Sequence, residues 1–193
     1  MTSPVPALLL DTCAIINLSY CAPVAALFRD RYHGTAGWLR ATQTELVRQR
    51  SRTPPNPQAG RASNWAATWL GMPIEMVDED LLLATEGIQR AIAAGSTDSA
   101  LDHLGEAASI ALLQSAGAGR LISDDHGARA ESRKRGVRAS STIGVIAQLL
   151  AVAGSGVDTS MADTYLQTLQ ARQRMRAQLT STDLLAGDLG PWQ

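Results

Sequence analysis

The stretch that decides the fold lies near the start of the chain and reads Val5-Pro-Ala-Leu-Leu-Leu-Asp11-Thr-Cys-Ala-Ile-Ile-Asn-Leu18. Its first half is a short apolar run, which predicts a buried strand that ends at Asp11. A helix is expected to begin at Thr12, because apolar residues recur from there at helical spacing. A strand followed at once by a helix favours an α/β fold.

Short strands and helices alternate along the rest of the chain. Further strands are predicted at 73–77, 120–123 and 137–139, and helices at 23–32, 42–50, 62–70, 79–94, 103–116, 128–135 and 144–152. A polar, proline-rich loop is predicted at 51–60. This alternation favours a mostly parallel sheet with helices on both faces.

The tail that begins at Gly154 has a different character. Met161, Tyr165, Leu169 and Met175 recur at helical spacing, which predicts an amphipathic helix packed on the rest of the chain or on a partner. We therefore expect an α/β domain over residues 1–153 and a C-terminal helical extension over residues 154–193.

Composition excludes several classes of protein. The 193 residues suit one ordinary domain, and a net charge of -1 excludes a uniformly basic coat while allowing a local basic patch. Aromatic residues, at 4%, are too few for a base-stacking platform, and two cysteines cannot form a disulfide scaffold or a four-ligand zinc site. The chain shows no targeting signal and no membrane-length apolar run, so we expect a cytoplasmic protein.

Acidic residues follow two of the predicted strands. Asp11 comes after the first, and Asp124 and Asp125 come after the strand at 120–123. Because ligands of open parallel sheets bind outside the carboxyl ends of the strands, these carboxylates are expected to converge. Glu45 and Glu106 lie near the starts of predicted helices. Converging carboxylates need a cation to offset their repulsion, and oxygen ligands without histidine favour Mg²⁺ or Mn²⁺ over zinc.

Each of these residues also has an ordinary structural interpretation. Asp11 could cap the helix that follows it, Glu45 could be a solvated helix residue, and Glu106 could be a first-turn acid favoured by the helix dipole. Asp125 and Arg129 are four residues apart, the spacing of a surface ion pair on a helix. Two acidic strand ends in one sheet favour the functional interpretation.

The order of these motifs resembles that of PIN-domain nucleases. The segment from Leu8 to Leu18 resembles their opening motif, and Thr44-Glu45-Leu46 resembles their second. The third motif, in its Gly-Glu variant from some prokaryotic members, is matched by Gly105-Glu106-Ala-Ala-Ser-Ile110-Ala-Leu112, and the fourth by Leu121-Ile-Ser-Asp124-Asp125 with Arg129. Residues 136–138 and 142–145 resemble the strand and helix that close the fold. The resemblance covers about residues 5–152.

The resemblance implies a three-layer α/β/α sandwich with a five-strand, mostly parallel sheet. It also implies an endoribonuclease that uses Mg²⁺ or Mn²⁺ and hydrolyses RNA phosphodiester bonds with a metal-activated water. It assigns catalysis and metal binding to Asp11, Glu45, Glu106 and Asp124, adds Asp125 as an auxiliary acid on the metal, and places the hydroxyls of Thr12 and Thr142 near the site. Asp102, one helical turn before Glu106, is an alternative for the third acid.

The resemblance also implies partners. Many prokaryotic members of the family are toxins of toxin–antitoxin pairs, so we expect an RNA substrate, a homodimer and a small antitoxin protein as an inhibitor. Arg48, Arg50 and Arg52 are candidates for a basic rim that guides RNA phosphates, and Arg129 is a further candidate RNA contact.

Two alternatives to an RNA-cleaving enzyme remain open at this stage. The chain could be a catalytically silent binding protein with the same fold, or a PIN-like nuclease that acts on DNA. A receiver-like phosphoacceptor is disfavoured, because such a protein needs a lysine on a late strand and the sole lysine, Lys134, falls in a predicted helix.

Overall fold

A parallel sheet with helices around it forms the centre of the molecule. The computed structural model describes residues 5–52, 55–94, 103–153, 159–171 and 179–186. Four strands pair in the order β2-β1-β3-β4, all parallel: β1 (Leu8–Leu10), β2 (Ala36–Gly37), β3 (Arg120–Ile122) and β4 (Arg138–Ser140). The carboxyl ends of the strands therefore lie along one edge of the sheet.

The helices lie between and after the strands, and four of them run in succession between β2 and β3. They are α1 (Thr12–Ser19), α2 (Ala22–Tyr32), α3 (Arg40–Arg50), α4 (Pro57–Trp69), α5 (Glu79–Ala93), α6 (Leu104–Ala116), α7 (His126–Lys134), α8 (Thr142–Ala153), α9 (Thr159–Ala171) and α10 (Ser181–Ala186). An aspartate caps α1, α5 and α7, since in each the side chain of the preceding Asp accepts a hydrogen bond from a first-turn amide.

Hydrophobic side chains alternate between the two faces of the sheet and form two clusters. Leu8 and Leu10 pack into the larger cluster with residues of α1, α2 and α8. Leu9, between them, packs into the smaller cluster with Ile88 of α5 and Ile110 of α6. This alternation is the two-residue period of a strand, and it is compatible with the predicted three-layer α/β/α architecture.

The number of strands differs from the expectation. The described residues form four strands rather than five, and the strand predicted at 73–77 contributes one bridge between Leu39 and Ile74. Two hydrogen bonds of 2.9 Å support that bridge, from Ile74 N to Trp38 O and from Arg40 N to Ile74 O. Pro73 has no amide proton with which to extend the pairing, and Val77 is 87% exposed. The short strand β2 was not predicted, because two small residues form no apolar run.

Helix α4 begins five residues earlier than the sequence predicts, at 57 rather than 62. Helix α4 starts at Pro57, so the second half of the loop predicted at 51–60 is helical. Asn56 caps the helix, with its side-chain oxygen 3.1 Å from Gln58 N, and Pro57 occupies the first turn, where proline is tolerated. The prediction was wrong because proline was interpreted as a loop residue instead of the first residue of a helix.

The two C-terminal helices share the larger hydrophobic cluster with the rest of the chain. Ala162, Tyr165, Leu166 and Leu169 of α9 and Leu184 of α10 are all buried in it. Thr180 and Asp183 bond reciprocally at the start of α10, as a capping box does. Met175, which the helical pattern also includes, lies outside the described residues, as does Asp102. Among the residues that the structure describes, no helix has the length and apolar character needed to cross a membrane.

Candidate acidic site

The loops after three strands begin side by side at the carboxyl edge of the sheet. Pairing continues one residue beyond β1 and β3, with Asp11 N 3.0 Å from Ile122 O and Ser123 N 3.0 Å from Ser140 O. Asp11, Asp124 and Thr142 follow β1, β3 and β4 within two residues of the strand ends. The structure therefore brings the acids predicted at the two strand ends to one edge, as expected for parallel strands.

Asp11 is fully buried, and its two carboxylate oxygens have different environments. Oδ1 accepts a hydrogen bond from Ala14 N at 2.6 Å, which caps α1. Oδ2 is buried and has no hydrogen-bond partner among the described residues. The pKa of Asp11 is raised to about 8, first by burial and then by the charges of Asp124 and Glu45, against the lowering effect of the Ser123 hydroxyl and the Ala14 amide. Capping thus uses one oxygen and leaves the other open to a ligand.

Glu45 of α3 is held by donors from two other helices. Oε2 accepts a hydrogen bond from the hydroxyl of Thr12 at 2.5 Å, and Oε1 accepts one from Gly105 N at 3.0 Å. Glu45 is only 7% exposed, so the solvated interpretation of this residue was wrong. The sequence pattern of α3 alone does not predict that Glu45 is buried.

Gly105 permits the close approach of α6 to α3. A Cβ atom at this position would lie 3.0 Å from Glu45 Oε2, 3.0 Å from Thr42 Oγ1 and 3.3 Å from Thr42 Cα. Contacts this close are uncommon for a real Cβ atom, so a larger residue would require Thr42 or Glu45 to shift by a few tenths of an ångström. The glycine of the Gly-Glu motif therefore has a packing role in this chain.

Glu106 lies in the first turn of α6 and is buried beside Asp11 and Glu45. Its Oε2 atom has no hydrogen-bond partner within the described parts of the chain. Burial raises the pKa of Glu106 well above its usual value, and the charges of Asp11 and Glu45 raise it further. Glu106 and Asp11 therefore each present one buried, unpartnered oxygen, and the charge of Asp11 acts on Glu106.

Asp124 connects the end of β3 to two helices. Its Oδ2 atom accepts hydrogen bonds from Asn17 Nδ2 at 2.6 Å and from the hydroxyl of Thr142 at 2.7 Å, and Oδ1 accepts one from Thr142 N at 2.8 Å. The hydroxyls of Thr12 and Thr142 both lie at the acids, at Glu45 and Asp124 respectively. Asn17 was missed from the sequence, because one amide in an apolar helix carries no signal for a role at a distant strand end.

Asp125 caps α7, with its Oδ1 atom 2.6 Å from Ala128 N. It is half-buried, and its backbone amide donates to the hydroxyl of Ser123 at 3.1 Å. Its charge is one of several that raise the pKa of Glu106, after burial and the charges of Asp11 and Glu45. Asp125 therefore lies at the border of the acidic site and also performs an ordinary structural function.

Arg129 is buried close to the acids, and the prediction that it lies on an exposed helix face is wrong. The residue is 3% exposed, and its Nη1 atom donates to Ser123 O at 3.0 Å. Burial lowers the pKa of its guanidinium, while the charges of Asp124, Asp125 and Asp11 raise it. Arg129 therefore does not lie on an exposed rim, as an RNA contact would, because the inner face of α7 carries it into the protein.

The three other arginines predicted to guide RNA lie at the end of α3 and just beyond it. Arg48 is half-buried, whereas Arg50 and Arg52 are exposed. The aliphatic part of Arg50 packs against Gly60 of α4. These side chains remain on the surface, in contrast to Arg129.

Whether this site can hold a metal ion depends on the carboxylate oxygens that have no hydrogen-bond partner among the described residues. Among the residues that the structure describes, no three His, Cys, Asp or Glu side chains are arranged to hold one metal ion together. The unpartnered oxygens of Asp11 and Glu106 are nevertheless hard, anionic donors. Mg²⁺ is commonly bound by one or two carboxylates, with water and substrate phosphates completing its coordination. The chemistry of this donor pair fits such an ion, and a dedicated cage of protein ligands is absent from the described residues.

Comparisons of the chain with protein-family models, with curated proteins and with solved structures gave no match. The interpretation of the site therefore depends on its own geometry and charges. These features are two open carboxylate oxygens, two further acids held by hydrogen bonds, and raised pKa values at the carboxyl edge of a parallel sheet.

Proposed function

We propose that this chain is a PIN-like ribonuclease that depends on Mg²⁺ or Mn²⁺ and hydrolyses RNA phosphodiester bonds. The observation that carries the proposal is the pair of buried, unpartnered oxygens, Asp11 Oδ2 and Glu106 Oε2. In a fully folded protein, buried polar atoms without partners are uncommon, and they often mark a place that a ligand occupies. Asp11 lies at the carboxyl end of a parallel strand, where such sheets bind ligands, and Glu106 of α6 lies beside it.

The charges of the site favour a cation over a neutral ligand. Burial and the charges of neighbouring acids raise the pKa values of Asp11 and Glu106, so ionising both costs free energy unless a positive charge is present. A bound divalent ion would offset this repulsion, polarise a phosphodiester oxygen and lower the pKa of an attacking water. Asp11 and Glu106 would contact the ion, and Glu45, Asp124 and Asp125 would complete the acidic set that the family resemblance assigns.

Residues of the chain would orient the substrate and the acids. Thr142 holds Asp124 through its amide and hydroxyl, and Thr12 holds Glu45, so neither acid needs to reorganise when RNA binds. The exposed Arg50 and Arg52, with Arg48 behind them, would attract RNA phosphates.

The finer parts of the proposal rest on the resemblance. They are a five-strand sheet, in which the bridge at Ile74 would mark the fifth strand, and a toxin that forms a homodimer and is inhibited by a small antitoxin protein. Growth arrest on expression, relieved by coexpression of a small neighbouring gene product, would support the toxin role.

The test of the proposal compares two Asp→Asn variants on single-stranded RNA. Asp11→Asn should abolish cleavage in Mg²⁺ or Mn²⁺, as should a chelator added to the unmodified protein. Asp78→Asn is the matched control, because Asp78 also caps a helix, with its Oδ1 atom 3.1 Å from Leu81 N, but is exposed and not one of the acids of the site. Cleavage that survives both chelation and Asp11→Asn would refute the proposal, and single-stranded DNA digested in parallel identifies a DNA nuclease.

One observation favours a second candidate function. All four carboxylate oxygens of Glu45 and Asp124 accept hydrogen bonds from the chain's own donors, which suits a binding protein that uses the acidic pocket for a partner's arginine or lysine. Calorimetry distinguishes the two functions. Heat from Mg²⁺ or Mn²⁺ binding that disappears in Asp11→Asn supports the nuclease, whereas no detectable binding supports the binding protein.

A further inference from the structure

We infer that Glu45 is a positioning residue that holds α1, α3 and α6 together, and that direct contact with the cation falls to Asp11 and Glu106. The inference deepens the proposed function and depends on it for the cation. It separates acids that the family resemblance treats as equivalent.

The hydrogen bonds of Glu45 join parts of the chain that are far apart in sequence. Its Oε2 atom binds the Thr12 hydroxyl, 33 residues away, and its Oε1 atom binds the Gly105 amide, 60 residues away. Both bonds are buried, at 2.5 and 3.0 Å. Hydrogen bonds to a charged, buried group are among the stronger ones in proteins, so this carboxylate fixes the relative positions of the three helices.

The bond to Gly105 also places the next residue. Because no Cβ separates α6 from α3 at this point, the α6 terminus lies against Glu45, and Glu106 follows directly. Glu106 Oε2 and Asp11 Oδ2 then remain without partners inside the protein. The chain therefore uses the hydrogen-bonding capacity of Glu45 for its own structure and leaves open oxygens on its neighbours.

A neutral replacement can distinguish the two roles. Glutamine at position 45 keeps an oxygen for the Gly105 amide and gains an NH₂ group that can donate to the Thr12 hydroxyl. Alanine removes both acceptors and leaves the amide and the hydroxyl buried without partners. A positioning residue should therefore tolerate glutamine far better than alanine, whereas a ligand acid should lose its function in both variants because both lose the carboxylate.

The experiment measures Mn²⁺ affinity by calorimetry for Glu45→Gln, Glu45→Ala, Glu106→Gln and Glu106→Ala. Every variant loses one negative charge, so the long-range effect of that charge cancels when glutamine is compared with alanine at the same position. We expect Glu45→Gln to bind Mn²⁺ at least about tenfold more tightly than Glu45→Ala, the usual effect of a group that orients ligands. At position 106 both variants should bind weakly, within about threefold of each other. Equal affinities of the two Glu45 variants would overturn the inference.

Unfolding by denaturant in metal-free buffer provides a second readout that needs no cation. Glu45→Ala should lower the folding equilibrium constant by at least about tenfold relative to Glu45→Gln, since it leaves two buried groups without acceptors. If Glu45→Ala does not fold and Glu45→Gln does, that outcome also supports the positioning role. If the unmodified protein binds no Mn²⁺, the proposed function fails, and equal stabilities of the two Glu45 variants would separately refute the positioning role.

Discussion

Replacing Asp11 with asparagine should stabilise the protein in metal-free buffer, and the gain should grow as the pH rises. Burial raises the pKa of Asp11 from 3.8 to about 8, so the folded protein binds this proton more tightly than the unfolded chain does. The contribution of the carboxyl to stability is therefore fully present below its unfolded pKa and is lost as the pH rises through its folded pKa. Asparagine has no charge to bury and loses nothing over this range.

The size of the effect follows from the same pKa values. A rise from 3.8 to about 8 sets a ceiling of about 6 kcal/mol, because each pKa unit is worth about 1.4 kcal/mol. The repulsion is shared with Glu106, which can take up a proton when Asp11 ionises, so we expect a gain of roughly 2–4 kcal/mol between about pH 5 and about pH 9. Asparagine caps helices as well as aspartate does, so the bond to Ala14 N is retained.

Denaturant unfolding with a chelator present, followed by circular dichroism across this pH range, measures the effect. Asp78→Asn serves as the control, since it makes the same substitution at an exposed helix cap and removes no buried charge. Saturating Mn²⁺ should stabilise the unmodified protein and leave Asp11→Asn nearly unchanged, because a ligand stabilises only the form that binds it. The two proteins are compared by the difference in their free energies of unfolding. If that difference stays constant from acid to alkaline pH, the reasoning is refuted.

Three further predictions concern packing and the RNA surface. Gly105→Ala should destabilise the protein by about 1–3 kcal/mol in denaturant unfolding, because the added methyl group overpacks the contact between α6 and α3. Gly87→Ala is the control, since Gly87 lies in open space on α5 and its replacement should stabilise the protein by up to about 1 kcal/mol. A stabilising Gly105→Ala would contradict the packing role. Tyr165→Phe should raise the thermal midpoint, because the buried hydroxyl has no partner among the described residues and its removal recovers about 1 kcal/mol, so a lower midpoint would count against this. Arg50→Ala combined with Arg52→Ala should weaken RNA binding and reduce the salt slope by about 1–2, and fluorescence anisotropy with an unchanged slope would exclude a phosphate-binding rim.

The acids at the strand ends could be predicted from the sequence because their signal is local. A short apolar run ending in Asp11 identifies both the strand and its carboxyl end, and the same pattern precedes Asp124. Parallel pairing then brings them to one edge of the sheet without any further information. The same reasoning gave most of the helices, since hydrophobic periodicity is also local.

The features that could not be predicted depend on contacts between distant residues. The burial of Glu45 follows from α6 packing against α3, and the role of Gly105 follows from the same contact. Arg129 was misplaced because the spacing from Asp125 suits an exposed helix face equally well, and only the packing of α7 shows which face is inside. The length of the strand predicted at 73–77 was overestimated. Its apolar residues match the strand pattern, but Pro73 limits its pairing and only one bridge forms, at Ile74.

The position of α9 and α10 in the larger cluster has a consequence for the order in which the chain can fold during synthesis. Tyr165, Leu169 and Leu184 are fully buried in a cluster that also contains residues made far earlier by the ribosome, among them Leu10, which immediately precedes Asp11. A nascent chain that ends before α9 leaves that apolar surface uncovered, so its hydrophobic stabilisation is incomplete until α9 and α10 emerge. The acidic edge of the sheet would then acquire its final packing only after these two helices are made, and any activity of this edge would follow that step.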